Sequence, residues 1–290
     1  IGAAMGLAAM LEFEPRQTEN ALGAACVSAS GSLKVIEDGS ELKPFNAGRA
    51  AVVGLLSAWM GRAGFDAPPD ALSGSCGFLA MMSDSYDERR ILEACPGGLW
   101  IHHAYVKPYA ACRHAHPSIE ACILIRRRAS ILPDEVREIR VTTYDGLAGK
   151  HDHRQVSSVS SARMSIPFSA AIALVTGRAG INEFTPERIQ SPAVRSLASK
   201  VCIVADPEFT AQVPAKRAAL VEIATTKGLV HKELVEYPKG EPENPLTDDE
   251  LQDKFESLAA YGGRPRETIG KVAGAVWNLA ENLEGLFQHL

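Results

Sequence analysis

The spacing of apolar residues changes twice along the chain, and nothing else in the sequence constrains the fold as much. Through the first hundred residues they recur at helical intervals; from about Trp100 they fall into short strand-like runs mixed with helical stretches; after Thr247 helical spacing returns. Helices, then strands with helices, then helices again predict an α plus α/β fold class, an all-helical domain with a smaller α+β domain inserted in it. The boundaries read as 1–100 for the helical domain, 101–245 for the insertion and 246–290 for helices returning to the helical domain. A cleft between two such domains is a favoured place for a small ligand.

Local signals fill in the elements. Leu7, Met10 and Leu11 form one apolar stripe, and Asn20 is placed to cap a helix over 21–33. Residues 47–60 make a strong helix with Ala51, Leu55, Ala58 and Trp59 on one face, and the small residues Gly48, Ala51 and Gly54 permit close helix approach. Pro68-Pro69 opens a short helix to about residue 79. Strand patterns cover 101–109, 136–144, 201–204, 218–226 and 232–237. Helices are predicted from Pro117 to Arg128 and over 158–177, where Pro167 kinks the helix or sets its first turn. Pro186 and Pro192 introduce two more. Thr247-Asp248-Asp249-Glu250 is a capping box, and Pro265 or Thr268 starts the terminal helix.

Composition narrows the function classes. With 46% hydrophobic and 22% charged residues the chain can bury a core without disulfides. A net charge of −5 argues against nucleic-acid or membrane-surface partners. The one dense basic run, Arg126-Arg127-Arg128, ends an apolar-periodic stretch and reads as a solvated helix C-terminus. Six cysteines without a Cys-x-x-Cys pair indicate neither a disulfide framework nor a zinc knuckle, and fit a reducing cytoplasm. The opening apolar run stops at Glu12, too short to span a bilayer. Lacking an initiator Met and a basic leader, it reads as the inside of a helix whose beginning is missing. Phosphate-binding loops, Gly-x-Ser-x-Gly and His-Glu-x-x-His do not occur.

Three segments carry possible chemistry. In Lys43-Pro44-Phe45-Asn46-Ala47-Gly48, proline disfavours helix at Lys43, which would stand before a helix N-terminus as a carboxylate clamp; the plainer reading is an exposed loop lysine. The run Lys107-Pro108-Tyr109-Ala110-Ala111-Cys112-Arg113-His114-Ala115-His116-Pro117 gathers a lysine to hold a carboxylate or an enolate-like charge and thiol or imidazole groups to move a proton. Its plainer reading is a polar loop with a capping histidine. Cys112, His114 and His116, with His151 and His153, have metal-ligand chemistry, but nothing in the sequence brings them together and no metal is expected. In Ser161-Ala162-Arg163-Met164-Ser165-Ile166-Pro167-Phe168, Arg163 and Ser165 are placed to face a cleft, while Ile166, Phe168 and Ile172 read as core.

Together with the run from Val235 to Pro245, these segments resemble the MmgE/PrpD family over essentially all 290 residues. Members of that family include 2-methylcitrate dehydratase, cis-aconitate decarboxylase and iminodisuccinate epimerase. The resemblance implies a large helical domain with a smaller lid domain, and a homodimer. It also implies a lyase acting without metal or organic cofactor, which removes a proton beside a carboxylate and dehydrates a small polycarboxylate such as 2-methylcitrate. The run from Val235 to Pro245 looks like the family's return from lid to helical domain. Residue by residue, Lys43 and Lys107 match the family's lysines. Cys112 stands where the decarboxylase branch has a catalytic histidine, with His114 and His116 near but out of register; Asn46 replaces a histidine, and Phe168 a tyrosine. The catalytic candidates are thus Lys43, Lys107, Cys112 and His116. The substrate-binding candidates are Asn46, Arg113, His114, Arg163, Ser165 and Phe168. The departures count against decarboxylation of cis-aconitate and leave dehydration first. Epimerisation of an amino- or imino-dicarboxylate comes second, and a degenerate carboxylate-binding or partner-binding homologue is the non-enzyme alternative. Family members also use an Asp and a His that would lie upstream of Ile1, so the 290 residues alone are expected not to assemble a whole site.

Overall fold

Helix contacts in the first hundred residues are made by the smallest side chains. The structure, a computed structural model, describes residues 1–32, 42–147, 150–281 and 283–288. The chain divides into two units, Ile1–Leu99 and Trp100–Leu290. The first contains α1 (Gly2–Met10), α2 (Pro15–Ser28), α3 (Leu42–Arg62) and the short α4 (Phe78–Met82). Both α1 and α2 pack on α3.

The buried positions are Ala4 and Ala8 on α1 and Gly54, Ser57, Ala58 and Gly61 on α3. A Cβ at Gly54 would lie 2.5 Å from the Cβ of Ala3, and one at Gly61 only 2.5 Å from the carbonyl oxygen of Gln17. Close approach is therefore real at Gly54, whereas nothing lies within 4 Å of a Cβ at Gly48. The stripes of long side chains turn outward instead: Met10 is 80% exposed and Trp59 49%. Backbones that nearly touch bury Gly and Ala and leave no room between them for Leu or Trp.

Three local expectations are corrected here. Asn20 lies inside α2, where it is buried and accepts the backbone N–H of Ala67 at 3.1 Å, while Glu14 and Gln17 cap the helix. Helix α3 begins at Leu42, so Lys43 is helical despite preceding a proline; Pro44 sits in the first turn, where its missing N–H costs no intrahelical bond. The stretch after Pro68-Pro69 is a series of turns, and helix forms only at α4. The expected end at Leu33 and the residue Glu41 lie outside the described residues.

The second unit is built on a four-stranded sheet. Its strands are β1 (Val136–Thr143), β2 (Val201–Ala205), β3 (Ala219–Thr225) and β4 (Val230–Val235), in the order β2-β1-β3-β4. β1 pairs parallel to β2, with Ile139 opposite Val201, and antiparallel to β3, with Val141 opposite Val221. β3 and β4 form an antiparallel hairpin. Alternate residues of β3 are buried, the period expected of a sheet covered on one face. Helix α5 (His116–Ala129) lies against β3 and β4 and packs on α7 (Ile166–Thr176). Ile119, Ile125, Ile139, Val141, Phe168, Ile172, Val221 and Ile223 are wholly buried in this core. Each fully buried side chain of this size contributes roughly 1.5–3 kcal/mol.

The crossover from β1 to β2 contains α6 (Val159–Met164), α7, α8 (Pro186–Gln190) and α9 (Pro192–Ser199). The single helix expected over 158–177 is thus two. Ser165 separates them: its hydroxyl accepts the N–H of Phe168 at 3.1 Å and donates to the carbonyl of His153 at 2.6 Å, and Pro167 occupies the first turn of α7. The strand expected over 101–109 is absent. A 3-10 turn at Trp100–His103 leads into irregular chain, and Ile101 is 72% exposed. After β2 come α10 (Pro207–Ala211) and the hairpin, then α11 (Asp248–Tyr261), α12 (Arg266–Trp277) and α13 (Leu283–Phe287). Thr247 and Glu250 form the capping box of α11. No helix among the described residues is long and apolar enough to cross a membrane.

Gly61→Ala should destabilise the first unit by about 1–3 kcal/mol, because backbone atoms of Gln17 and Ala21 cannot yield to a methyl group. Gly48→Ala, in open space, should be neutral or stabilising. Urea unfolding of the two variants measures this; equal midpoints would refute the close-approach account.

Candidate functional site

An irregular segment must find partners for its backbone outside any ladder. The N–H of Val106 donates to Gly240 at 2.8 Å, that of Ala110 to Ala179 at 2.8 Å, and that of Cys112 to Arg163 at 2.7 Å. Gly240 has φ +93°, and a Cβ there would fall 1.9 Å from the Val106 carbonyl oxygen, so only glycine fits. Arg113 reinforces the same junction through an ion pair with Glu241 at 2.7 Å, both side chains nearly buried. Glu120 on α5 accepts the N–H of Lys239 at 2.6 Å; burial holds its carboxyl above the usual range, and the contact with Lys239 partly offsets this.

The pinned segment forms one wall of a cavity of about 650 Å³. Its basic lining residues are Lys107, Arg127, Arg163, Arg178, Lys239 and Lys254, against three acids, Glu120, Glu250 and Asp253. Lys239 is paired with Glu250 at 3.0 Å. The Nε of Arg163 is buried without a hydrogen-bond partner. The excess of positive charge in a concave, partly apolar space suits a small polyanion.

A second cluster lies beyond Ala111. Ligand atoms of Cys112, His114 and His151 all lie within 4.8 Å of one another. The rings of His114 and His151 are 5.2 Å apart between centroids. His151 is buried, and its Nδ1 donates to the Met164 carbonyl at 2.9 Å. Nδ1 of His114 is hydrogen-bonded to the Tyr144 hydroxyl. Burial pushes that phenol up to about 12, so it stays protonated near neutral pH, although the charge of Arg113 acts in the opposite direction.

The residues singled out from sequence therefore separate. Lys107 and Arg163 share the cavity, and Cys112 and His114 share the cluster. Arg113 is engaged by Glu241. His116 is buried, its ring against Tyr109 and its Nε2 3.4 Å from the Ala111 carbonyl oxygen. Burial pushes it down to about 3, so it is neutral and packed in the core. Ser165 caps α7 and Phe168 is fully buried; neither lines the cavity. Lys43 and Asn46 are half-buried on the first two turns of α3, in the other unit. Sequence reasoning passed over Tyr144 and the cavity residues Glu120 and Arg178, which carry no motif, and read Lys239 and Glu241 only as part of the return run from Val235 to Pro245. His151 had a signal, the His-x-His pair with His153, but nothing to say what it meets.

The family described as MmgE/PrpD N-terminal domain matches residues 1–90, and MmgE/PrpD C-terminal domain matches residues 109–279. The chain is similar to "Cis-aconitate decarboxylase" of Aspergillus terreus, 27% identical over 278 residues that cover 88% of this chain and 55% of that protein. It is also similar to "Cis-aconitate decarboxylase-like protein oryM" of Aspergillus oryzae, 27% identical over 277 residues, 89% of this chain and 56% of that protein. The chain thus spans about half the length of these curated relatives.

The burial of His116 has a consequence for stability. Unfolded, its imidazole takes a proton below about 6.5; folded, only near 3. Between these values the unfolded chain binds more protons, so stability contributed by the neutral ring is lost as pH falls through that window. His116→Leu should flatten the loss of stability between neutral pH and about pH 4, read from urea midpoints. An unchanged slope would show that His116 titrates normally in the fold.

Proposed function

This chain belongs to the MmgE/PrpD family, and from that premise we propose that it serves a lyase that removes a proton beside a carboxylate of a small polycarboxylate. The observation that carries the reading is the basic cavity walled by Lys107 and Arg163. Carboxylates of a substrate would pair with these cations. A carbanion forming next to a carboxylate requires fixed positive charge where negative charge develops, and Lys107 supplies it. Cys112, next in the chain after the wall residue Ala111 and flanked by His114 and His151, is the proton carrier in this scheme. His116, neutral and buried, is the weaker of the two acid–base candidates. The working form is a cytoplasmic homodimer, and the scheme needs no cofactor.

Dehydration of a 2-methylcitrate-like hydroxy acid is the first reading. The names of the similar Aspergillus proteins favour decarboxylation of cis-aconitate as the second. Cys112 and Phe168, which the family resemblance sets where that branch has a histidine and a tyrosine, weigh against it and keep epimerisation of an imino-dicarboxylate as a third outcome.

Incubation of the full-length protein in D₂O with citrate, 2-methylcitrate, cis-aconitate and iminodisuccinate, followed by proton NMR, distinguishes these. Gain or loss of an alkene with water transfer identifies a hydro-lyase. Carbon dioxide release from cis-aconitate identifies a decarboxylase, and deuterium entering the α-carbon with inversion an epimerase. No change in any of the four overturns the proposal.

Lys107→Met then tests the charge argument. A role in the transition state lowers kcat by roughly 10²–10³-fold. A rise in KM with kcat unchanged would reduce Lys107 to a ground-state carboxylate contact.

A further inference from the structure

We propose that Cys112, His114 and His151 form a binding site for a thiophilic divalent cation of the Zn²⁺ type. One thiolate and two imidazoles are a donor set that such ions select over hard cations. Among the described residues this is the one group of three or more His, Cys, Asp or Glu side chains with converging ligand atoms, all within 4.8 Å of one another. A tetrahedral ion about 2.0–2.3 Å from its ligands holds them roughly 3.5 Å apart. The three ligand atoms would draw together on binding.

The surroundings are built as a metal site's would be. An imidazole that ligates through one nitrogen is oriented by a hydrogen bond from the other. His151 has one ring nitrogen held in this way: Nδ1–H donates to the Met164 carbonyl at 2.9 Å and orients the imidazole. His114 meets it through the Tyr144 hydroxyl at its Nδ1. The backbone around the ligands is tied as well: the N–H of Cys112 to Arg163 at 2.7 Å, and that of Ile166 to the His151 carbonyl at 2.8 Å. The neighbouring cation Arg113 is neutralised by Glu241 at 2.7 Å. His114 is half-buried, which gives an ion access, and three protein ligands leave a fourth position for water.

Binding converts the Cys112 thiol to a thiolate and releases its proton to solvent. A thiolate held by a cation no longer carries protons for catalysis, so the ion would act as a reversible inhibitor. That consequence rests on the role given to Cys112 above; binding of the ion does not.

The test is titration of metal-free protein with Co²⁺, read by absorption, followed by displacement with Zn²⁺. The expected result is saturable, stoichiometric binding with a sulfur-to-cobalt charge-transfer band that Zn²⁺ abolishes. Cys112→Ser should remove the band, and His151→Gln should weaken binding on the order of 100-fold; Tyr144→Phe, which loosens only the orientation of His114, should weaken it about tenfold. Cys76→Ser, at an exposed cysteine outside the cluster, should leave the titration unchanged. Circular dichroism checks that each variant is folded. If Cys112→Ser fails to fold, the Tyr144→Phe titration and proton release on Zn²⁺ addition to the unaltered protein decide the matter. Absence of the band, or equal affinity in the unaltered, His151→Gln and Tyr144→Phe proteins, overturns the site. Stoichiometric binding without effect on turnover would leave the site standing and remove Cys112 from the catalytic scheme.

Discussion

The arrangement of the second unit depends on one polar junction, where the irregular chain of residues 104–112 and the 3-10 turn that follows it meet the turn at Lys239, Gly240 and Glu241. The Val106 N–H bonds to Gly240, Arg113 pairs with Glu241, and Glu120 takes the N–H of Lys239. Residues well over a hundred positions apart are thereby held at fixed distance. A buried ion pair such as Arg113–Glu241 adds little net stability, since both charges leave water. Its value lies in geometry: removing either partner strands the other, so the alternative placements of this loop are disfavoured. Two further nitrogens of Arg113, Nε and Nη1, are buried without hydrogen-bond partners, so its compensating contacts are Glu241 and the face of the Tyr105 ring, 6.0 Å away.

With that junction in place, the short run from Lys107 to His116 serves three environments. Lys107 faces the basic cavity, Cys112 and His114 meet His151, and His116 turns into the core beside Tyr109. The two histidines near Cys112 differ because of burial and partners, not residue type. His116 is buried, and desolvation disfavours its charged form more than the nearby backbone carbonyls support it. His114 is half-buried, with a phenol at Nδ1, and shares the cluster with Cys112 and His151. The break at Ser165 sets where Arg163 and Phe168 fall. Its backbone N–H closes one helix and its hydroxyl caps the next, with Arg163 at the cavity and Phe168 in the core only five residues later.

Much of this was legible where the signal is local. The four strands at 136–143, 201–205, 219–225 and 230–235 alternate or carry β-branched runs, the helices at Pro186 and Pro192 start as proline dictates, and the Thr247–Glu250 box forms as written. Family membership was legible for the same reason: a motif is read in order along the chain. Where alternation was present but no neighbouring strand was, as at 101–109, the reading failed, because a strand exists only as part of a ladder. The stripe of Met10 failed for a different reason. Hydrophobicity predicts which residues prefer burial, but distance between helix axes decides which can be buried, and Gly54 and Gly61 set that distance.

The sequence by itself determined the element types with strong local punctuation, the family, and the residue types available for chemistry. Only the tertiary structure decided which of them meet: Lys107 with Arg163, Cys112 and His114 with His151, Arg113 with Glu241, and the withdrawal of His116, Ser165 and Phe168 from the cavity. The physical reason is range. Helix starts, caps and alternation are set by neighbours a few residues away. A site is made by groups whose separation along the chain says nothing of their separation in space, and whose protonation follows from a burial that folding alone creates.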